Sequence, residues 1–145
     1  MQKKMQIALK EARKAFEAGE VPVGAAIFKD GILIAHAHNR CEKKKDALAH
    51  AEMLVITQAQ QVLKSSRLTG CELYVTVEPC LMCAGAIIAS RISRLVYGIE
   101  EPKMGCIYSK MFLYDVIGQH RLEIYGSILA EESKRLMQAF FSNKR

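Results

Sequence analysis

The sequence predicts an α/β protein: a mixed central sheet with an antiparallel hairpin at one side, a parallel part beyond it, and helices on both faces. The hairpin rests on two apolar, β-prone runs flanking Lys29-Asp30-Gly31, since Asp-Gly is a strong turn signal. The parallel part rests on a strand–helix–strand pattern over residues 72–98, because such a crossover returns right-handed and parallel. The helical layers rest on segments whose apolar residues recur at three- and four-residue spacing. At 145 residues the chain has the size of a single domain, 1–145, built on one core.

The elements follow in order. Residues 5–18 place Met5, Ala8, Leu9, Ala12, Ala15 and Phe16 on one helical face, opposite Lys10, Glu11, Arg13, Lys14 and Glu17, with Gly19 as the stop. VGAAIF and ILIAHAH form the hairpin strands. Asn39 to Asp46 is polar, carries Lys43-Lys44-Lys45, and reads as a solvated loop. Ala47 to Leu63 reads as a helix with His50 in its first turn or two, and Ser65 to Gly70 connects it onward. Glu72 to Val77, β-branched and aromatic, is a strand ended by Pro79. Cys80 to Ser90 is a helix, since proline is tolerated where a helix starts, and Arg94 to Gly98 is a further strand. Glu100 to Gly118 reads as mixed loop and short helix, Leu122 to Tyr125 as a short strand, and Leu129 to Phe141 as a closing helix. Sites in open α/β sheets form at the carboxyl ends of strands, and the helix from Cys80 starts at such an end.

Bulk properties narrow the function classes. The N-terminus lacks the apolar region of a signal peptide, and no apolar run is long enough to cross a bilayer, so the expected compartment is the cytoplasm. The five cysteines are odd in number and irregular in spacing, unlike a disulfide framework. Cys41, Cys71 and Cys106 read as small, buried or half-buried thiols. The net charge of +6 favours polyanionic partners, nucleic acid above all.

The chemistry concentrates in His50-Ala51-Glu52 and Pro79-Cys80-Leu81-Met82-Cys83. Cys80 and Cys83 lie one helical turn apart, so both sulfurs can reach one ion, and His50 supplies a nitrogen. Three protein ligands leave a tetrahedral zinc with an open position, as in catalytic sites, where the pKa of water falls from 15.7 to about 7. Glu52, not itself a ligand, is placed to move protons. A structural zinc would ask for a fourth ligand at short spacing, which Cys71, Cys106, His36, His38 and His120 do not offer. His36 and His38 read as packed or surface residues, and His120 as structural or solvent-facing. The order H-x-E then P-C-x-x-C is identified as the signature of zinc-dependent base deaminases.

The resemblance narrows further. Gly19 to Ala25, Asn39-Arg40, Ala49 to Glu52, Tyr74 to Ile87, Ser90-Arg91-Ile92, Pro102-Lys103-x-Gly105 and the helix ending Phe140-Phe141 closely resemble the bacterial tRNA-specific adenosine deaminases, the TadA family of the cytidine-deaminase-like superfamily. That resemblance implies a three-layer α-β-α sandwich and hydrolytic conversion of adenosine to inosine, with release of ammonia, at the wobble position of a tRNA anticodon, typically an arginine tRNA. It also implies one Zn2+ per subunit and a homodimer in which both subunits touch the anticodon stem-loop. By matching position, His50, Cys80 and Cys83 would hold zinc and Glu52 would shuttle protons. Asn39 would hydrogen-bond the flipped nucleotide, with Val23 and Ala51 as pocket wall and the Ala51 amide helping to read the base. Phe140 and Phe141 would offer a stacking face, with Lys144 and Arg145 on phosphates.

The residues taken without the family leave alternatives open. Asn39 also suits a turn, and both phenylalanines also suit the packing of the last helix. Two departures touch the RNA-facing loop. Glu101 stands where the family commonly has Asp, altering a ribose contact, and Met104 to Ser109 beyond Lys103 is bulkier than usual. The rival readings are a deaminase of guanine, cytosine or a free nucleoside, and a zinc-stabilised RNA-binding module without catalysis. The intact Glu52 argues against the latter, and the basic balance against the former.

Overall fold

The computed structural model describes residues 1–107 and 121–143. Its elements are α1 (Gln2–Glu17), β1 (Gly24–Lys29), β2 (Ile32–His38), α2 (Cys41–Lys44), α3 (Ala51–Leu63), β3 (Cys71–Val77), α4 (Leu81–Ala89), β4 (Arg94–Ile99), β5 (Glu123–Tyr125) and α5 (Ala130–Ser142). The strands form one sheet in the order β2-β1-β3-β4-β5. β1 runs antiparallel to both β2 and β3, whereas β3, β4 and β5 are mutually parallel. The expected architecture is therefore present: a hairpin at one edge and a parallel half beyond it.

Period-two alternation along the inner strands feeds two helical layers. Ala25, Ile27, Leu73, Val75, Leu95 and Tyr97 share one core with Val55 and Ala59 of α3 and Ala84 and Ile87 of α4. Ala26, Phe28, Tyr74 and Val96 face the other way, against Met5, Ala8 and Leu9 of α1 and Leu136 of α5. Because the central strands are covered on both faces, β1 and β3 carry almost continuous apolar side chains. No helix among the described residues is long and apolar enough to cross a membrane.

The hairpin turn forms as its sequence demands. Asp30 and Gly31 both take positive φ, 51° and 79°, the geometry of the turn whose twist matches the flanking strands. The pairing then skips one residue, from Phe28↔Leu33 to Ile27↔Ala35, which is a bulge at Ile34. At the far end of β1, Gly24 lets α1 approach so closely that an added Cβ would meet the Ala8 carbonyl and the Ala12 amide.

Charged groups stitch α1 to the parallel half. Glu72 accepts from Lys4 Nζ at 2.7 Å and from Arg94 Nη1 at 2.8 Å, and Arg94 also reaches Glu123 on β5. Burial alone would raise the Glu72 carboxyl, but Lys4 and Arg94 outweigh it and hold the group below its ordinary value.

Three boundaries differ from the sequence expectation. The helix assigned to Ala47–Leu63 begins at Ala51, leaving His50 extended at its N-cap with φ −70° and ψ 150°. Asp46 accounts for the delay: its Oδ1 accepts from the Leu48 N–H and its carbonyl from the Ala49 N–H, a local turn that competes with helix. Likewise Cys80 is the extended N-cap of α4 rather than its first helical residue. The loop assigned to Asn39–Asp46 contains the single helical turn α2. Glu20 reaches its first backbone amides, accepting from Glu42 N at 3.0 Å and Lys43 N at 2.9 Å. The remaining helix and strand ends agree to within about three residues, the scale on which fraying and definitions differ. Most of the Glu100–Gly118 segment, with His120, lies outside the described residues.

Gly24→Ala is expected to lower stability by at least about 1–3 kcal/mol, since the methyl has backbone rather than a yielding side chain in its way. Thermal unfolding followed by circular dichroism checks this, and an unshifted midpoint would contradict the close helix–strand approach.

Candidate active site

α3 and α4 lie on the same face of the sheet, and both start at a residue with a metal-ligating side chain. His50 Nδ1 lies 3.7 Å from Cys80 Sγ and 3.6 Å from Cys83 Sγ. Among the described residues this is the one His/Cys/Asp/Glu cluster whose ligand atoms all lie within 4.8 Å of one another. A tetrahedral zinc with Zn–S near 2.3 Å and Zn–N near 2.0 Å would set the N···S separation at about 3.6 Å, so the donor set has the spacing zinc requires. Two soft thiolates with one imidazole also favour zinc over harder ions.

The electrostatics suit a cation. The Cys83 thiol hydrogen-bonded to Cys80, together with His50, brings the Cys80 thiol down to about 4 against the cost of its burial. Cys83 is pushed up by Cys80 and by burial, and a bound divalent cation would act against both. His50 is raised, chiefly by its contact with Cys80. The positive ends of α3 and α4 both lie at this cluster, adding partial charge that favours thiolates.

Glu52 sits against this cluster, only 4 % exposed. Burial lifts its carboxyl to about 7, more than the neighbouring His50 charge lowers it. A carboxyl poised there can both take up and release a proton near neutral pH. Glu52 lies in the first turn of α3, beside the extended His50, and both line one cavity.

That cavity, about 460 Å³, is the size of a small-molecule site. Val23, Val77 and Met137 form apolar wall, with Asn39, Glu52, His50 and Cys80 supplying polar atoms. Asn39 is 8 % exposed, and its Oδ1 accepts from the Ala51 N–H at 2.7 Å. The bond gives α3 a cap from a different element and fixes the Asn39 amide so that its NH2 group remains to donate into the cavity.

Of the other residues expected here, Val23, Glu101, Phe140 and Phe141 line the cavity. Ala51 does not stand in the wall as expected: it is fully buried, and its amide is taken by Asn39. Lys103 instead lines an adjoining cavity that shares Val77, Glu101, Met137 and Phe141 with the first. The two phenylalanines divide the roles open to them. Phe140 is 8 % exposed and packs edge-on against Phe16, whereas Phe141 is 53 % exposed at the rim. Lys144 and Arg145 lie outside the described residues.

Glu11, expected on the polar side of α1, is buried, and sequence reasoning passed over two further buried carboxylates. Glu20 ties α2 to the cavity wall through the amides of Glu42 and Lys43. Glu78 accepts from the Glu101 N–H and the Ile107 N–H, both at 3.0 Å, and so holds the 101–107 segment that carries Glu101 and Met104 over the opening. Both glutamates stand inside the stretches that carry the family resemblance. Nothing in their own neighbourhoods, a helix-end glycine and a strand-end proline, announces that they will be buried.

A family model described as MafB19-like deaminase matches residues 1–145. The chain is 46 % identical to the tRNA-specific adenosine deaminase of Bacillus subtilis (strain 168), over 97 % of this chain and 88 % of that one. Its fold superposes with a TM-score of 0.90 on a structure solved in work on A-to-I editing by tRNA:A34 deaminases at the wobble position of transfer RNA. That match has 42 % identity and covers 94 % of this chain and 99 % of the other. A guanine deaminase from Nitrosomonas europaea superposes with a TM-score of 0.87 at 25 % identity, covering 97 % and 84 % of the two chains.

The purified protein is expected to carry one zinc per chain by elemental analysis. His50→Ala and Cys83→Ala should each lose it, while Cys106→Ala keeps it. Zinc retained at full stoichiometry in His50→Ala would refute the ligand set.

Proposed function

The chain belongs to the MafB19-like deaminase family and, within it, to the tRNA-specific adenosine deaminases, and we propose that it converts the wobble adenosine of a tRNA anticodon to inosine by zinc-dependent hydrolysis. The expected substrate is an arginine tRNA, the working unit one deaminase domain over 1–145, and the place of action the cytoplasm. The observation that carries the chemistry is the convergence of His50, Cys80 and Cys83 at zinc-binding distances with a buried, non-ligating Glu52 beside them.

His50, Cys80 and Cys83 would hold the ion, which when bound supplies a Lewis acid that makes hydroxide available at neutral pH. The protein's own groups do the rest. Glu52 as carboxylate takes one proton from the attacking water and passes it to the adenine ring nitrogen. It then carries the remaining hydroxyl proton to the amine as the C–N bond breaks and the C=O forms, leaving a carbonyl and ammonia. Its placement near pKa 7 suits both directions of transfer. The Asn39 NH2 donates to the base or its sugar, and Val23, Val77 and Met137 exclude water from the base faces. An apolar slot with a few edge contacts is what a base taken out of its stack requires. Phe141, exposed at the rim, offers a face on which a neighbouring base can stack. Glu101 and Lys103 flank the same opening, and Lys144 with Arg145 would extend the basic surface along the RNA.

Incubating the protein with an anticodon stem-loop carrying a wobble adenosine, beside free adenosine, cytidine and guanine, separates the readings. Inosine is expected in the RNA alone. Turnover of a free base with silent RNA would move the chain to the small-molecule deaminases and leave its zinc chemistry standing. Glu52→Ala should keep zinc and fold yet lose at least about 10²–10⁴ in turnover, the worth of a general acid–base group, and near-normal turnover would sink the proton-transfer role.

A homodimer is the expected assembly. Light scattering at micromolar concentration should give twice the 16.2 kDa chain mass, and a monomer would contradict it.

A further inference from the structure

On the other side of α2 from the catalytic cavity lies a second cavity, also about 460 Å³, lined by Glu11, His36, His38, Arg40, Lys43 and Lys44 among others. Glu20 lines both cavities, so α2 and its capping carboxylate form the partition between them. The chain at the end of β2 divides across that partition: His36, Ala37, His38 and Arg40 line the second cavity, and Asn39, between His38 and Arg40, lines the catalytic one.

The charges in this cleft are unevenly matched. Glu11 Oε2 lies 2.8 Å from Lys14 Nζ, and its Oε1 lies 3.3 and 3.4 Å from His36 Nδ1 and His38 Nδ1. Both Glu20 oxygens accept backbone N–H groups. The two carboxylates are thus engaged within the protein, whereas Arg40, Lys43 and Lys44 have no ion-pair partner among the described residues. Lys43 and Lys44 are exposed. Three cations without such a partner, Arg40 one residue and Lys43 and Lys44 four and five residues along the chain from the Asn39 amide, suit a repeating anion attached to a base in the first cavity. A basic groove beside a base pocket is how single-stranded nucleic acid is tracked along its backbone.

We propose that this cleft holds backbone phosphates of the RNA strand whose target base occupies the catalytic cavity, with Arg40, Lys43 and Lys44 as the contacts. The proposal rests on the tRNA-deaminase reading. In it, the segment 38–40 reads a nucleotide from two sides, with Asn39 toward the base and Arg40 toward the phosphate. α2 stays in place because Glu20 anchors it.

The test compares wild type with Lys43→Glu/Lys44→Glu and with a charge-matched control, Lys64→Glu/Arg67→Glu. Lys64 and Arg67 follow the C-terminal end of α3, whose N-terminal end is at the site. Each is assayed for turnover of the wobble-adenosine stem-loop and for its binding across a range of KCl. The cleft pair should raise KM about tenfold or more, and flatten the slope of log Kd against log[salt] by about 1–2, since each lost single-strand phosphate contact is worth about 0.7. The control pair should match wild type in both, Lys43→Arg/Lys44→Arg should restore binding, and thermal midpoints should not move because both lysines are exposed. Cleft variants that bind like wild type, or a control pair that loses as much, would overturn the proposal by showing that location does not matter. Wild-type editing with indifferent cleft variants sinks the cleft alone. Wild type silent on RNA but active on a free base sinks the tRNA reading, and the cleft with it.

Discussion

Two helices on one face of the sheet begin at residues that must meet, and that shared starting point governs the rest of the molecule. His50 stands at the N-terminal boundary of α3 and Cys80 at that of α4, with Cys83 one turn further on, so bringing the imidazole to 3.6–3.7 Å from both sulfurs requires the two helix N-termini to converge. The parallel pairing of β3 and β4 enforces part of this, since α4 is the crossover between them. The Asp46 turn and the Asn39–Ala51 hydrogen bond enforce the other part by holding α3 back until Ala51. Converging positive helix ends would repel each other in an empty apolar site. Here they face thiols, whose ionised form they favour.

Buried carboxylates frame the same centre, and their hydrogen-bond partners separate their tasks. Glu20 accepts from the unpaired first amides of α2 and Glu78 from amides of the 101–107 segment, and so each pins one wall of the cavity. Glu52 is also buried but lies against ionisable side chains, and burial lifts its carboxyl to about 7. The first kind of environment makes a strut; the second makes a group that exchanges a proton near neutrality.

The end of β2 also divides its side chains between two cavities. Where β2 runs out at His38, Asn39 lines the cavity of the His/Cys/Cys cluster while its neighbours His38 and Arg40 line the basic cleft behind α2. A nucleotide has a base at one end and a phosphate at the other. Such a segment can serve both without the protein building two separate sites.

Much of this was legible in the sequence, for identifiable reasons. The hairpin, the parallel crossover and the helical faces follow from local rules: Asp30-Gly31 accepts two positive φ angles, and the apolar residues keep the periods of strand and helix. That His50, Cys80 and Cys83 would come together, with Glu52 beside them, was legible because metal chemistry restricts residue type and local spacing together, which few sequences meet by accident. Where the long-range partners lie is a different kind of information. The burial of Glu20 and Glu78 and the commitment of the Ala51 amide to Asn39 depend on groups 12 to 29 residues apart becoming neighbours. The same holds for Phe140, which turns inward against Phe16 while Phe141 stays at the rim. A backbone amide or carboxylate looks alike in every sequence. Only folding decides whether water or another residue satisfies it, because an unmet buried polar group costs more than any local preference returns.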